Sequence, residues 1–157
     1  LPDYQSSERV FQLLAQVSGR VGRNEHESHV VVQSYQPTHP SVTSGIAQDY
    51  LSFYESTLAD RQRANFPPYT YLLKAVCTYK SEAASVRAAR QLASTLRPLL
   101  TAKDEIVGPA PAFYERARDS YRWQLIVKSR SRAQLVKLAE HIPPTHWQFE
   151  LDPVSLL

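Results

Sequence analysis

YTYLLKAVCTYK, residues 69–80, followed at once by SEAASVRAARQLASTLRPLL, residues 81–100, decides the fold. The first stretch is dense in aliphatic, aromatic and β-branched side chains and has the length of one strand. The second places Val86, Ala89, Ala93, Leu96 and Leu100 on one helical face, with Arg87, Arg90 and Arg97 turned mostly away from it. Further on come strand EIVGPAPAFYERA (105–117), strand YRWQLIVKS (121–129), helix RAQLVKLAEHI (132–142) and strand HWQFELDP (146–153). The order βαββαβ predicts a ferredoxin-like α+β domain: two helices cover one face of an antiparallel sheet and leave the other free.

Upstream the pattern differs. SSERVFQLLAQVSGR (6–20) carries Val10, Leu13, Leu14 and Val17 at helical spacing, with serines ahead as caps. HVVVQSY (29–35) reads as a buried strand, and QPTHP (36–40) breaks regular structure. IAQDYLSFYESTLADRQRA (46–64) resumes a helix through Leu51, Tyr54 and Leu58. The paired prolines of NFPPY (65–69) force an extended turn, so the expected division is residues 1–66 and 67–157.

The 157 residues suffice for one ordinary domain, or for a small domain plus a piece of another. With 43% hydrophobic and 21% charged residues the composition is that of a globular chain, and no apolar run reaches the roughly 20 residues of a membrane span. The chain does not begin with Met and reads as a piece of a longer protein. One cysteine, Cys77, excludes an internal disulfide framework and reads as a buried small side chain in a strand. The five histidines show no ligand spacing beyond HESH in a polar loop, so no metal site is expected.

The octet QVSGRVGR (16–23) uses two of the chain's four glycines beside two arginines. Arginines three apart at a helix end project to nearby positions, and glycines between them let backbone approach a ligand closely. Such a fork suits phosphate oxygens. The plainer alternative is that Gly19 and Gly22 end the helix, with Arg20 and Arg23 near its negative pole.

QLLAQVSGRVGR resembles the last motif of superfamily-2 helicases, of the form Q-x-x-G-R-x-G-R. Taken with VVVQSYQPTHP, FPPY, GPAPA, YRWQLIVKS and the terminal LDP, it resembles the C-terminal part of the primosomal protein N′ (PriA) family of bacterial replication-restart helicases. The resemblance implies that residues up to about Pro67 are the tail of a RecA-like second motor lobe. It implies that Gln16, Gly19, Arg20 and Arg23 face ATP, with Arg20 and Arg23 as arginine fingers. It implies ATP and magnesium in the longer protein, zinc held outside this chain, and a 3′-to-5′ DNA helicase that recognises stalled forks and promotes primosome assembly. No phosphate loop, acidic box or cysteine pair is present, so the chain alone is expected not to hydrolyse ATP. A bacterial, cytoplasmic, nucleoid-associated protein without a membrane role follows from the same resemblance.

YERARDSYRWQ (114–124) interleaves Tyr114, Tyr121 and Trp123 with Arg116, Arg118 and Arg122. Trp123 is assigned to the core and the three arginines to a surface for branched fork DNA. In SRSRAQ (129–134), Ser131 and Gln134 read as a capping box, which sets Arg130 and Arg132 at a helix N-terminus suited to an anion. The resemblance implies that Arg130 and Gln134 receive the C-terminal tail of the single-stranded DNA-binding protein, with other primosome proteins as further partners. Two other readings stand beside this one: a ferredoxin-like RNA- or ribosome-associated domain without a helicase role, and a purely structural domain.

Overall fold

The structure, a computed structural model, describes residues 3–21, 29–116 and 119–156, the side chains of residues 114–116 excepted. The chain divides into two compact units, Tyr4–Arg63 and Ala64–Leu157 together with Leu1–Asp3.

The unit Tyr4–Arg63 contains α1 (Ser6–Ser18), α2 (Pro40–Ala47) and α3 (Tyr50–Arg63). The face of α1 that packs is not the expected one. Phe11 and Ala15 are buried, and Phe11 stacks on Phe53 of α3 with ring centroids 4.2 Å apart. Val10, Leu13 and Val17 are exposed, because α2 and α3 meet the Phe11 side, where a stacked aromatic pair buries more apolar area than two valines. The N-cap position of α1 is Gln5, which makes no side-chain cap hydrogen bond, and the serines expected to cap it are the helix's first residues, Ser6 and Ser7. Leu51 and Tyr54 of α3 are exposed too, and Phe53 is that helix's buried residue.

QPTHP does not merely break structure; it starts α2. His39 Nδ1 accepts from the Ser41 N–H at 3.2 Å, and Pro40 occupies the first turn, where no intrahelical donor is needed. Gly45 lets α1 and α2 close together, since a Cβ there would lie 2.9 Å from the Leu14 Cβ. Gln48 takes a left-handed φ of 57° after α2, and its side-chain amide donates to the Ala15 carbonyl at 3.2 Å. The expected strand over HVVVQSY is absent: residues 29–35 form none, and Val31 and Tyr35 are almost fully exposed. A strand needs a partner for its N–H and C=O groups, and no described segment of this unit offers one.

The other unit is an α+β domain around a four-stranded antiparallel sheet of order β2-β3-β1-β4. Its strands are β1 (Tyr71–Tyr79), β2 (Glu105–Arg116), β3 (Tyr121–Ser129) and β4 (Trp147–Leu151). Between β1 and β2 runs α4 (Glu82–Leu96), and between β3 and β4 runs α5 (Arg132–Ala139). Leu73, Ala75 and Cys77 of β1, with Leu125 and Val127 of β3, project to one face, where Ala89, Leu92, Ala93 and Leu96 of α4 and Leu135 and Leu138 of α5 cover them. Strand β2 is an edge, which accommodates Pro109 and Pro111 because their missing donors interrupt no ladder on that side. Gly108 has φ +99° at a register shift between Val107 and Ala110.

The second sheet face is not free throughout. Leu72 and Ile126 alternate with the helix-facing residues yet are 0% and 1% exposed. Two cations on this face, Lys74 and Lys128, donate to backbone outside the sheet, Lys74 Nζ to Ser155 O at 3.3 Å and Lys128 Nζ to Ala64 O at 2.8 Å. The segments around residues 64–66 and 152–156 thus close over one end of the face and leave the other end open.

Candidate nucleic-acid and partner interface

At the open end of that face lies a depression of about 570 Å³ lined by Lys74, Val76, Arg122, Gln148, Phe149 and Glu150. Antiparallel register builds it. Lys74 stands opposite Glu150, Val76 opposite Gln148, and Arg122 opposite Thr78, so three strands deliver side chains to one place. Burial holds the Lys74 ammonium below the ordinary lysine value; Arg122 adds to the effect while Glu150 and Asp3 oppose it. Arg122 is half-buried and, among the described residues, its guanidinium makes no hydrogen bond or ion pair. Phe149, 53% exposed on the edge strand, stands opposite Ala75 and so projects to the helix-covered face with Trp147 and Leu151, not with Lys74 and Arg122.

A second, polar depression of about 300 Å³ is lined by Thr70, Lys103, Asp104, Glu105, Lys128 and Arg130. Asp104 is the hub of its loop: Oδ2 accepts from the Thr101 N–H at 2.7 Å and the Thr101 hydroxyl at 2.9 Å. Burial alone would raise its carboxyl, but hydrogen bonds from Ser129, Thr101 and Gln134 prevail and hold it below the ordinary carboxylate value. Only half of the expected capping box forms. Ser131 Oγ accepts from the Gln134 N–H at 3.3 Å, but the Gln134 amide donates to Leu99 O at 2.9 Å, and the Ser131 N–H goes to Ser129 Oγ. Arg130 is exposed, whereas Arg132 pairs through Nε with Asp152 Oδ2 at 3.1 Å.

Of the octet, Gln16 and Arg20 are exposed at the C-terminal end of α1. Gly19 has φ −71°, so no left-handed turn requires glycine there; its value is space, since a Cβ would meet the Gln48 amide at 2.7 Å. Gly22, Arg23, Arg118 and the Arg116 side chain lie outside the described residues. The backbone of Arg116 ends β2 opposite Tyr121.

Trp123 is packed against the core cluster, as expected of it. Cys77 is fully buried, with Sγ 3.6 Å from Ser85 O and its thiol pushed up by burial. Among the described residues no three His, Cys, Asp or Glu side chains cluster to hold a metal ion, and no helix is long and apolar enough to cross a membrane. Lys74 and Glu150 escaped sequence reasoning. Their positions, some 75 residues apart, meet only through the β1–β4 register, although a lysine in an otherwise apolar strand was a visible signal.

Sheet, helices and polar depressions together define an α+β domain whose charged groups gather on the sheet face and at the N-terminus of α5, not in an enclosed pocket. The model of the family described as primosomal protein N C-terminal domain matches residues 62–154, and the chain belongs to that family. The replication restart protein PriA of Bacillus subtilis (strain 168) is 36% identical over 152 residues, covering 97% of this chain and 19% of its own length. That of Synechocystis sp. is 36% identical over 159 residues, covering 98% and 19%, and that of Haemophilus influenzae is 34% identical over 137 residues, covering 86% and 18%. The chain spans about one fifth of the length of these curated relatives.

Proposed function

We propose that this chain is the C-terminal part of a bacterial, ATP-dependent 3′-to-5′ superfamily-2 DNA helicase that recognises stalled forks and promotes primosome assembly and replication restart. The observation that carries the reading is the similarity to proteins named for replication restart over 97% of the chain, extending N-terminally past the family match through QVSGRVGR.

On this reading Tyr4–Arg63 is the end of a RecA-like motor lobe, and Gln16, Gly19, Arg20 and Arg23 belong to its ATP site. The donor set suits phosphate: Gln16 and Arg20 are exposed at one helix end, and arginine stabilises charge that develops on a transferred γ-phosphoryl group. Bound ATP would supply the free energy for strand separation. Magnesium and zinc would be held by residues elsewhere in the longer protein.

The rest of the chain is a ferredoxin-like domain, a reading supported by its βαββαβ order and its β2-β3-β1-β4 sheet. It contacts branched fork DNA through Arg116, Arg118 and Arg122, and receives the acidic tail of the single-stranded DNA-binding protein at Arg130 and Gln134. The exposed Arg130 beside the first turn of α5 supports an anion there. The protein so assembled works in the bacterial cytoplasm at the nucleoid.

DNA-stimulated ATP turnover of the longer protein tests the reading. Arg20→Ala and Arg23→Ala are each expected to lower kcat by roughly 10³-fold or more. Unchanged turnover would favour an RNA- or ribosome-associated domain with no motor role.

A further inference from the structure

Among the described residues, β4 has β1 as its sole neighbour in the sheet, so its other side is an open edge. The Thr78 N–H donates to His146 O at 2.9 Å and the Asp152 N–H to Leu72 O at 2.7 Å, just beyond the two ends of the register that runs from Leu73↔Leu151 to Cys77↔Trp147. Antiparallel ladders alternate between residues that bond their neighbour and residues that do not. Gln148 and Glu150 therefore turn their N–H and C=O groups to β1, while Trp147, Phe149 and Leu151 turn theirs outward. The two edges of the sheet differ. β2 carries Pro109 and Pro111 and shifts register after Val107 and after Pro111, devices that spoil an edge for further pairing. β4 has no proline, no lysine and an unbroken register, and it leaves Phe149 53% exposed beside a Trp147 that is 8% exposed. Such an edge is a template for one more strand.

The strand that fits it is β4 itself. Laid antiparallel about a twofold axis at Phe149, β4 sets Phe149 against Phe149 of the second copy and Trp147 against Leu151 of the second copy, all on the helix-covered face. On the opposite face Gln148 meets Glu150 of the second copy. Every outward residue then meets an outward residue, apolar meets apolar, and each carboxylate meets an amide. A slip of one residue would set outward groups against groups already bonded to β1; a slip of two would set Glu150 against Glu150 of the second copy, or Gln148 against its own equivalent. We infer that β4 is a self-association edge, through which two copies of this chain join their sheets into one continuous sheet. The interface is small, five residues from each copy, so the dimer is weak and depends on concentration. This role goes beyond the motor and DNA-binding reading and rests on neither part of it.

The test is sedimentation equilibrium of the whole chain from about 1 μM to about 1 mM, a range suited to so small an interface. The mass is expected to rise from monomer towards dimer and to stop there, because a twofold contact closes on itself. Phe149→Pro removes one outward N–H and no bond to β1, and is expected to weaken association by about tenfold or more. Phe149→Glu, which brings two carboxylates together at the axis, is expected to do the same and replaces the proline variant should that one fail to fold in a thermal melt. Leu13→Glu, on the exposed side of α1, is expected to leave association unchanged. Phe149→Cys is expected to yield a disulfide-linked dimer under mild oxidation, since directly opposed residues of a hydrogen-bonded pair hold their Cα atoms roughly 5.5 Å apart. Val154→Cys, exposed outside the strand, is expected not to, and the native Cys77 is buried. A monomer at every concentration would overturn the inference and leave the edge to a strand of another protein. A dimer lost in Leu13→Glu but kept in both Phe149 variants, or one cross-linked through Val154→Cys and not Phe149→Cys, would overturn it as well.

Discussion

Lys128 Nζ sits 4.1 Å from the centroid of the Phe66 ring and donates to the carbonyl of Ala64, the residue two before that ring. Its side chain is only 9% exposed, and the nearest carboxylate oxygen, Glu105 Oε2, stands 3.6 Å away. A buried lysine is tolerated where ring, carbonyl and carboxylate together replace its water. Lys128→Met keeps the packing and discards those polar contacts; it leaves the Ala64 carbonyl without its donor. A loss of about 1–3 kcal/mol in unfolding free energy by urea denaturation is expected, and a variant as stable as the parent would show that the Ala64–Phe66 segment is held by packing alone.

Asp152 works at the end of β4 in three ways. Its N–H donates to Leu72 O at 2.7 Å, its Oδ1 accepts from the Leu72 N–H at 3.1 Å, and its φ is +51°. Asn tolerates the left-handed region and keeps an acceptor, whereas Ala does neither. Asp152→Ala should cost about 1–3 kcal/mol and Asp152→Asn distinctly less. Chemical denaturation of both variants checks the order; equal losses in the two would assign the effect to the charge, and so to the exposed pair with Arg132.

Acid should weaken the C-terminal unit through Asp104. Its folded-state carboxyl is held below the ordinary carboxylate value, so its contribution is present above the unfolded value and is lost as pH falls through the lower, folded one. In Asp104→Asn that contribution is missing at every pH. The stability gap between parent and variant is therefore expected to be widest near neutrality and to shrink below about pH 4. Denaturant titrations at pH 7 and pH 3 measure it, and a gap that stays constant would mean that charge plays no part.

At Gly108 the backbone demands the residue. With φ +99°, a Cβ would lie 3.1 Å from both Ala110 N and Gln124 O, backbone atoms that cannot swing aside. Gly108→Ala is expected to destabilise by about 1–3 kcal/mol in a thermal or urea melt.

The C-terminal unit was legible in the sequence because each element carries its own period. The apolar, β-branched runs 71–79 and 121–129, and the apolar stripe of 82–96, give the order of elements without long-range information. The first unit was less so, for two physical reasons. The α1 sequence is apolar on more than one side, and only tertiary partners decide that Phe11 packs while Leu13 does not. HVVVQSY has strand propensity, but propensity without an edge to pair with makes no strand. Arg122 was visible as one basic residue in a basic stretch. That it shares a depression with Lys74 and Glu150 depends on strand register, which single-sequence patterns do not encode.

Asp3 binds residues more than 150 positions downstream, its Oδ2 accepting from the Ser155 hydroxyl at 3.2 Å and its Oδ1 from the Leu156 N–H at 3.4 Å. The residues joined are 152 and 153 positions apart, so this contact is among the costliest in chain entropy that the fold makes. In the order of synthesis Asp3 must wait for all of Tyr4–Leu156 to leave the ribosome before its carboxylate finds either donor. A polypeptide cut before Ser155 would carry a sheet already paired but not fastened at that seam.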